Sequence, residues 1–257
     1  MAVNTDYIAV IDSGVGGISV LRELVKLMPN ERYLYFGDSV NAPYGTKTAQ
    51  QVRDLTEGTV ERLMKRGIKA LVVACNTATA AAIDFLRAKY PDFIIIGIEP
   101  AVKPAVRQFP TGSIGIMATP VTLREEKLRR LLAQNPHPNI HSIPAPGLVE
   151  LVEAGLANSP QMDAFLAQLL APYKDKLDGL VLGCTHYPFA RAAISRALGG
   201  KTVLFDGGAG TANHTRRRLT DAGLLNPGEG CVLIENSLPD EQIIRLCNQL
   251  LTEENYG

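Results

Sequence analysis

The sequence predicts an α/β protein of two pseudo-symmetric domains, each a mostly parallel sheet flanked by helices, with the active site in the interdomain cleft. Three observations carry this. Short apolar runs alternate with amphipathic helical stretches, the order that gives parallel strands with right-handed crossovers. The pattern occurs twice: the residues closing three runs, Asp12, Phe36 and Glu99, have counterparts in Thr119, Ile143 and Asp206, each 107 residues on. Cys75 and Cys184 close a fourth pair of runs, 109 residues apart.

In chain order, strands are expected at 7–11, 33–37, 70–74, 93–98, 114–118, 140–143, 180–183, 202–205 and 231–234. Their near-continuous apolar character suits strands buried on both faces. Helical patterns occupy 18–28, 48–66, 78–90, 121–134, 146–156 and 189–198. A closing helix is expected over 239–251, with Pro239 near its start and 252–257 fraying. The first domain is expected to comprise residues 1–98 plus 208–257 and carry Asp12 and Cys75. The second comprises 99–207 and carries Thr119 and Cys184. No low-complexity linker separates them, so an intimate interface is expected.

Composition narrows the function classes. The 257 residues include 26 basic and 26 acidic side chains, a balance that gives no nucleic-acid or membrane-surface signal. A 46% hydrophobic content is ample for a core. No apolar run approaches the ~20 residues of a membrane span, and no signal peptide is visible at the N-terminus. The four cysteines (75, 184, 231 and 247) lack metal-site spacing, so no metal and a cytoplasmic location with free thiols are expected.

In such sheets ligands bind beyond the carboxyl ends of the strands, where Asp12, Asp38, Cys75, Thr119 and Cys184 fall. Each cysteine reads as a thiol delivered by a strand to the start of a helix, where N–H groups and the helix dipole favour a thiolate. Two thiols presented alike suggest two acid/base groups sharing one site. Gly14-Val15-Gly16-Gly17 invites a nucleotide reading, but Ser19 stands where the dinucleotide pattern needs glycine. Gly45-Thr46-Lys47-Thr48 likewise departs from a phosphate loop. A turn offering N–H groups to a carboxylate fits better, and a turn that merely needs positive φ is the alternative.

Other residues keep two readings. His186, two residues from Cys184, handles protons or only bonds locally. Asp12 is a site carboxylate or an N-cap. Glu150 and Glu153, three apart on one helix, read as solvated surface. Cys231 and Cys247 lack polar motif neighbours and read as structural, and His137, His141 and His214 carry no pattern.

The motifs Asp12-Ser13-Gly14-x-Gly16-Gly17, Asp38…Pro43-Tyr44-Gly45, Ala74-Cys75-Asn76-Thr77-Ala78-Thr79 and Gly183-Cys184-Thr185-His186-Tyr187-Pro188 together resemble the bacterial glutamate racemases. They span residues 7–206 in that family's order. The resemblance implies free glutamate as substrate, no cofactor, a role supplying D-glutamate for peptidoglycan, and a homodimer. It implies catalytic thiols at Cys75 and Cys184, helped by Asp12, His186 and Glu153. It also implies substrate contacts at Asp12, Ser13, Tyr44, Gly45, Asn76, Thr77, Thr119, Thr185 and His186. Related aspartate racemases usually carry Glu where His186 stands, which favours glutamate. One departure is Gly207, where serine commonly follows the aspartate. With only six residues before the first strand, the activating nucleotide-precursor site that some members build from an extension is not expected.

Racemisation explains the need for two thiols. One group removes the α-proton from one face while another returns a proton to the opposite face. A thiol with pKa ~8.5 reaches both forms near neutrality. Pyridoxal phosphate would need a Schiff-base lysine, and the motifs contain none. A one-cysteine isomerase, a Cys–His hydrolase and a non-catalytic binding protein are the competing classes.

Overall fold

A computed structural model of the chain, described over residues 6–252, consists of two parallel sheets wrapped by helices. The chain runs β1 (Tyr7–Asp12), α1 (Ile18–Leu27), β2 (Arg32–Gly37), α2 (Ala49–Met64), β3 (Ile68–Val73), α3 (Asn76–Lys89), β4 (Ile94–Gly97) and α4 (Val102–Gln108). It continues through β5 (Ile114–Ala118), α5 (Pro120–Arg124), α6 (Glu126–Gln134), β6 (Ile140–Pro144), α7 (Leu148–Glu153) and α8 (Pro160–Leu170). Then follow β7 (Gly179–Leu182), α9 (Arg191–Ala197), β8 (Val203–Asp206), α10 (Gly208–Asp221), β9 (Cys231–Asn236) and α11 (Glu241–Thr252).

The first sheet has the order β4-β3-β1-β2-β9 and the second β6-β5-β7-β8, with every pairing parallel. β1 lies between β2 and β3, and β5 between β6 and β7. β4 and β8 flank their outer neighbours in the same way. The four sequence pairs at recurring offsets are therefore topological equivalents, and β9 is an addition to the first sheet. β1 and β3 bury nearly every residue on both faces, as covered parallel strands must. One buried cluster runs from Ile8, Val10 and Leu21 through Met117, Leu148 and Val152 to Tyr187 and Leu250. The two sheets thus share a core. No helix is long and apolar enough to cross a membrane, among the described residues.

Local chemistry sets several boundaries. Thr48 and Gln51 form a reciprocal capping box that starts α2. Ser159 caps α8 ahead of Pro160, whose missing N–H costs nothing in the first turn. The single helix expected over 121–134 is two helices. Thr119 caps α5, and Glu125 then takes extended dihedrals (φ −69°, ψ 139°) that break the chain before α6. The helix expected directly after Cys184 also differs. Tyr187–Ala190 form a 3₁₀ turn that buries Tyr187 and Phe189, and α9 begins only at Arg191. The stretch expected to fray lies, from residue 253, outside the described residues.

Candidate active site

The carboxyl ends of β1, β3, β5 and β7 converge on one cleft of about 610 Å³, its open mouth included. Ser13, Tyr44, Gly45, Cys75, Asn76 and Thr77 line it from the first sheet's side, and Thr119, Cys184, Thr185 and His186 from the second's. Asp12 and Glu153 stand behind this lining rather than in it. Residues 145–150, the turn after β6 and the start of α7, complete the wall with Ala145, Gly147, Val149 and Glu150. The sequence alone reads Glu150 as solvated surface and predicts helix from residue 146, although this segment follows the same rule of strand carboxyl ends. Gly147 opens it at φ +95°, a turn conformation that side chains resist.

Cys75 is the N-cap of α3, its Sγ accepting the Ala78 N–H at 3.4 Å and lying 3.7 Å from the Ser13 hydroxyl. The N–H at the helix start does favour a thiolate, as expected, but it is outweighed. Burial pushes the Cys75 thiol up to about 12, with the Asp12 charge adding to it, and the Ala78 and Ser13 contacts offset only part. At rest this sulfur is a protonated thiol.

Cys184 stands differently. Its Sγ is 3.7 Å from His186 Nδ1, and His186 Nε2 is 2.6 Å from Glu153 Oε1. Burial alone would lower the His186 pKa, but the Cys184 sulfur and the Glu153 carboxylate outweigh it and raise it well above the usual value. Burial would raise Glu153, but His186 and the Val15 N–H hold its pKa below the usual value. The pair is thus an imidazolium against a carboxylate. Glu153 is not the solvated surface residue that its helix position suggests. It also accepts the Val15 N–H at 2.9 Å, so one carboxylate ties the glycine turn of the first half to the histidine of the second.

The glycine turn does present N–H groups to carboxylates, here the protein's own. Gly14 N–H donates to Asp12 Oδ1 at 3.0 Å. A Cβ on Gly14 would overlap the Glu153 carboxylate, and one on Gly16 would overlap the His186 ring. These two glycines let the halves close on each other.

Asp12 makes no hydrogen bond to Cys75. Its Oδ2 accepts the Thr185 hydroxyl at 3.0 Å, across the junction between the sheets. Burial raises its pKa, partly countered by the His186 charge. Tyr44 is held in the wall by donating its hydroxyl to Asp38 Oδ2 at 2.7 Å, and the Asn41 amide donates to the same carboxylate. Thr119 donates to Thr122, which contacts Thr77.

Asn76 stands apart. Its side-chain amide is buried, lines the cleft, and has no partner for either Nδ2 or Oδ1. A buried amide without partners costs on the order of 1–3 kcal/mol, which a ligand with both an acceptor and a donor would relieve. No lysine or arginine lines the cleft among the described residues, so a carboxylate ligand would be held by hydroxyl and N–H donors. The described residues contain no cluster suited to a metal ion. Of the other two cysteines, Cys247 is buried in α11 as expected for packing. Cys231 is instead exposed at the start of the edge strand β9, 3.7 Å from the Tyr7 hydroxyl.

Comparison with known proteins gives the same picture. The family model for Asp/Glu/Hydantoin racemase matches residues 8–215. A glutamate racemase of Clostridium acetobutylicum is 49% identical over 255 residues, 98% of this chain and 99% of that protein. Glutamate racemase from Thermus thermophilus, solved in complex with β-chloro-D-alanine, superposes with a TM-score of 0.81 at 35% identity, covering 97% of this chain and 94% of that one. The glutamate racemase isoform RacE1 of Bacillus anthracis superposes at 0.87 with 30% identity, covering 96% and 94%. The chain belongs to the Asp/Glu/Hydantoin racemase family of isomerases and groups within it with the glutamate racemases.

Proposed function

We propose that the chain interconverts L- and D-glutamate without a cofactor, using Cys75 and Cys184 as paired acid and base. The observation that carries this reading is the meeting of two thiols, from equivalent strand ends of two like sheets, in one cleft beside an unpartnered amide. Glutamate sits with its α-carbon between the sulfurs. The thiolate on one face takes the α-proton, and the electron pair passes into the α-carboxylate. Donors around Asn76, Thr77 and Thr185 stabilise the charge gathering there. The opposite thiol returns a proton to the other face and is left as the thiolate. One base is consumed and one is generated, so a proton moved between the sulfurs resets the enzyme.

His186 serves Cys184 directly, with Glu153 orienting the ring and supplying its counter-charge. Asp12 acts on the Cys75 side through its charge and through Thr185. Residues 1–98 with 208–257, and 99–207, form the two domains that the substrate bridges. The product D-glutamate serves peptidoglycan synthesis in the cytoplasm, and the working enzyme is a homodimer.

The test follows optical rotation of L-glutamate and L-aspartate, with no pyridoxal phosphate or metal added. Loss of rotation with glutamate and little change with aspartate is expected. Equal or faster turnover of aspartate, or dependence on an added cofactor, contradicts the assignment. The order Cys184–His186–Glu153 also has the form of a thiol-hydrolase triad. That reading leaves Cys75 without a part, and a burst of acyl-enzyme with activated esters would be its signature.

A further inference from the structure

Thr122 belongs to none of the motifs above, yet it lies between two of them. It is buried on α5, and its hydroxyl oxygen accepts from the Thr119 hydroxyl at 2.9 Å and lies 3.3 Å from that of Thr77. Thr119 and Thr77 line the cleft from opposite sheets, whereas Thr122 is absent from its lining. The Thr122 N–H in turn donates to Thr119 Oγ1 at 3.2 Å, which fixes where Thr119 points.

Three hydroxyls carry three protons, and the chain uses two of them. Thr119 gives the first to Thr122. Were Thr77 to give the second to Thr122 as well, the Thr122 proton would be left without a hydrogen-bonded acceptor and face the neighbouring cavity that Thr122 lines beside Asn76. If Thr122 gives its own proton to Thr77 instead, the one left over belongs to Thr77, at the cleft surface. Such chains also polarise one another, so the last hydroxyl becomes a stronger donor.

We infer that Thr122 is a positioning residue whose hydroxyl turns the Thr77 proton into the cleft, toward a carboxylate of the bound ligand. The inference rests on the proposed reaction in taking that ligand to be glutamate. It adds a residue that touches no ligand and acts through Thr77.

Thr122→Val keeps the shape and removes the hydroxyl, whereas Thr122→Ser keeps the hydroxyl. KM and kcat are measured for L- and D-glutamate, and D-glutamate binding is titrated in the Cys75→Ala background, where turnover does not intervene. Thr122→Val is expected to raise KM roughly ten-fold in both directions and to weaken that binding by a similar factor, the scale of one hydrogen bond to a charged group. The change in kcat should be under about threefold, with Thr122→Ser within about twofold of the parent on the same scale. An unchanged KM in Thr122→Val, a loss confined to kcat, or a serine variant as impaired as the valine one overturns the inference. Should Thr122→Val fail to fold by circular dichroism, Thr122→Ala and Thr122→Ser make the same comparison. A parent enzyme that neither turns over nor binds glutamate would instead sink the proposed function, so the two failures are distinguishable.

Discussion

Cys75 and Cys184 occupy equivalent strand ends in equivalent sheets, yet their surroundings differ in kind. Cys75 caps a 14-residue helix, and its polar contacts are a backbone N–H and a serine hydroxyl. Cys184 lies three residues before a short 3₁₀ turn and faces a histidine held by a half-buried carboxylate. Duplication of the fold sets where each thiol stands, and neighbours 3.4 to 3.7 Å away set how its proton is handled. Racemisation requires the two faces of the α-carbon to be served equally at equilibrium, because free enantiomers are isoenergetic in achiral water. It does not require them to be served by the same groups.

The largest effects should come from removing either side outright. Cys75→Ala and Cys184→Ala should each lower racemisation by at least ~10³-fold in both directions, since each deletes a positioned proton-transfer group. Elimination from a β-chloro amino acid, which needs one base, should survive in one of the two variants. Polarimetry and release of chloride check the pair, and near-normal turnover in either variant would break the symmetry of the account.

Next comes the titrating side. His186→Asn should lower kcat by ~10²-fold, with solvent and α-deuterium isotope effects that differ between the L→D and D→L directions. Glu153→Gln should cost on the order of ten-fold, because it acts through the ring. The sign of its pH effect follows from the raised His186 pKa. The imidazolium is present at low pH and lost as pH rises through the raised value. Removing the Glu153 carboxylate removes one of the groups that raise it and leaves burial less opposed. The alkaline limb of the rate profile should therefore move to lower pH in Glu153→Gln, and a limb that stays in place would detach Glu153 from His186.

A smaller and more specific effect is expected at the other thiol. Mass spectrometry after limited iodoacetamide treatment at pH 8 should find Cys231 labelled first, because it is exposed, and Cys75 and Cys247 slowest, because burial holds both protonated. Asp12→Asn removes a negative charge that raises the Cys75 thiol. Cys75 should then be alkylated faster although racemisation falls. Slower alkylation would contradict the electrostatic part of the comparison. Smallest of all, Cys231→Ala should leave activity and stability unchanged. Cys247→Ala should lower stability by about 1–2 kcal/mol with little effect on kcat.

Much of this was legible in the sequence because it rests on periodicity and spacing. The recurring offsets from Asp12, Phe36 and Glu99 found the equivalent strands, and the strand-end rule found Cys75, Thr119 and Cys184 of the cleft wall. Ser13, Tyr44, Gly45, Asn76, Thr77 and Thr185 came instead from the family resemblance. Tertiary contacts supplied the rest. Glu153 lies on a helix whose pattern suggests solvent; the resemblance named it, and its meeting with Val15 and His186 supplies the physical reason. The protonated state of Cys75 depends on how deeply α3 and the Asp12 carboxylate enclose it, which no local motif encodes. Thr122 could have been found, since it stands three residues after a helix-capping threonine that closes a strand. Segment 145–150 was hidden because its one charged residue, Glu150, stands on a helix whose pattern suggests solvent.

The central claim is that two separate groups serve the two faces, and proton origin tests it most directly. Fully protiated L-glutamate is incubated with the enzyme in D₂O and stopped within the first few per cent of conversion, and both enantiomers are separated and weighed by mass spectrometry. The account predicts D-glutamate carrying deuterium at the α-carbon while the remaining L-glutamate stays protiated, with the mirrored result from D-glutamate. Early D-glutamate that retains the original proton would mean one group carries it across both faces, and the two-thiol account would be wrong.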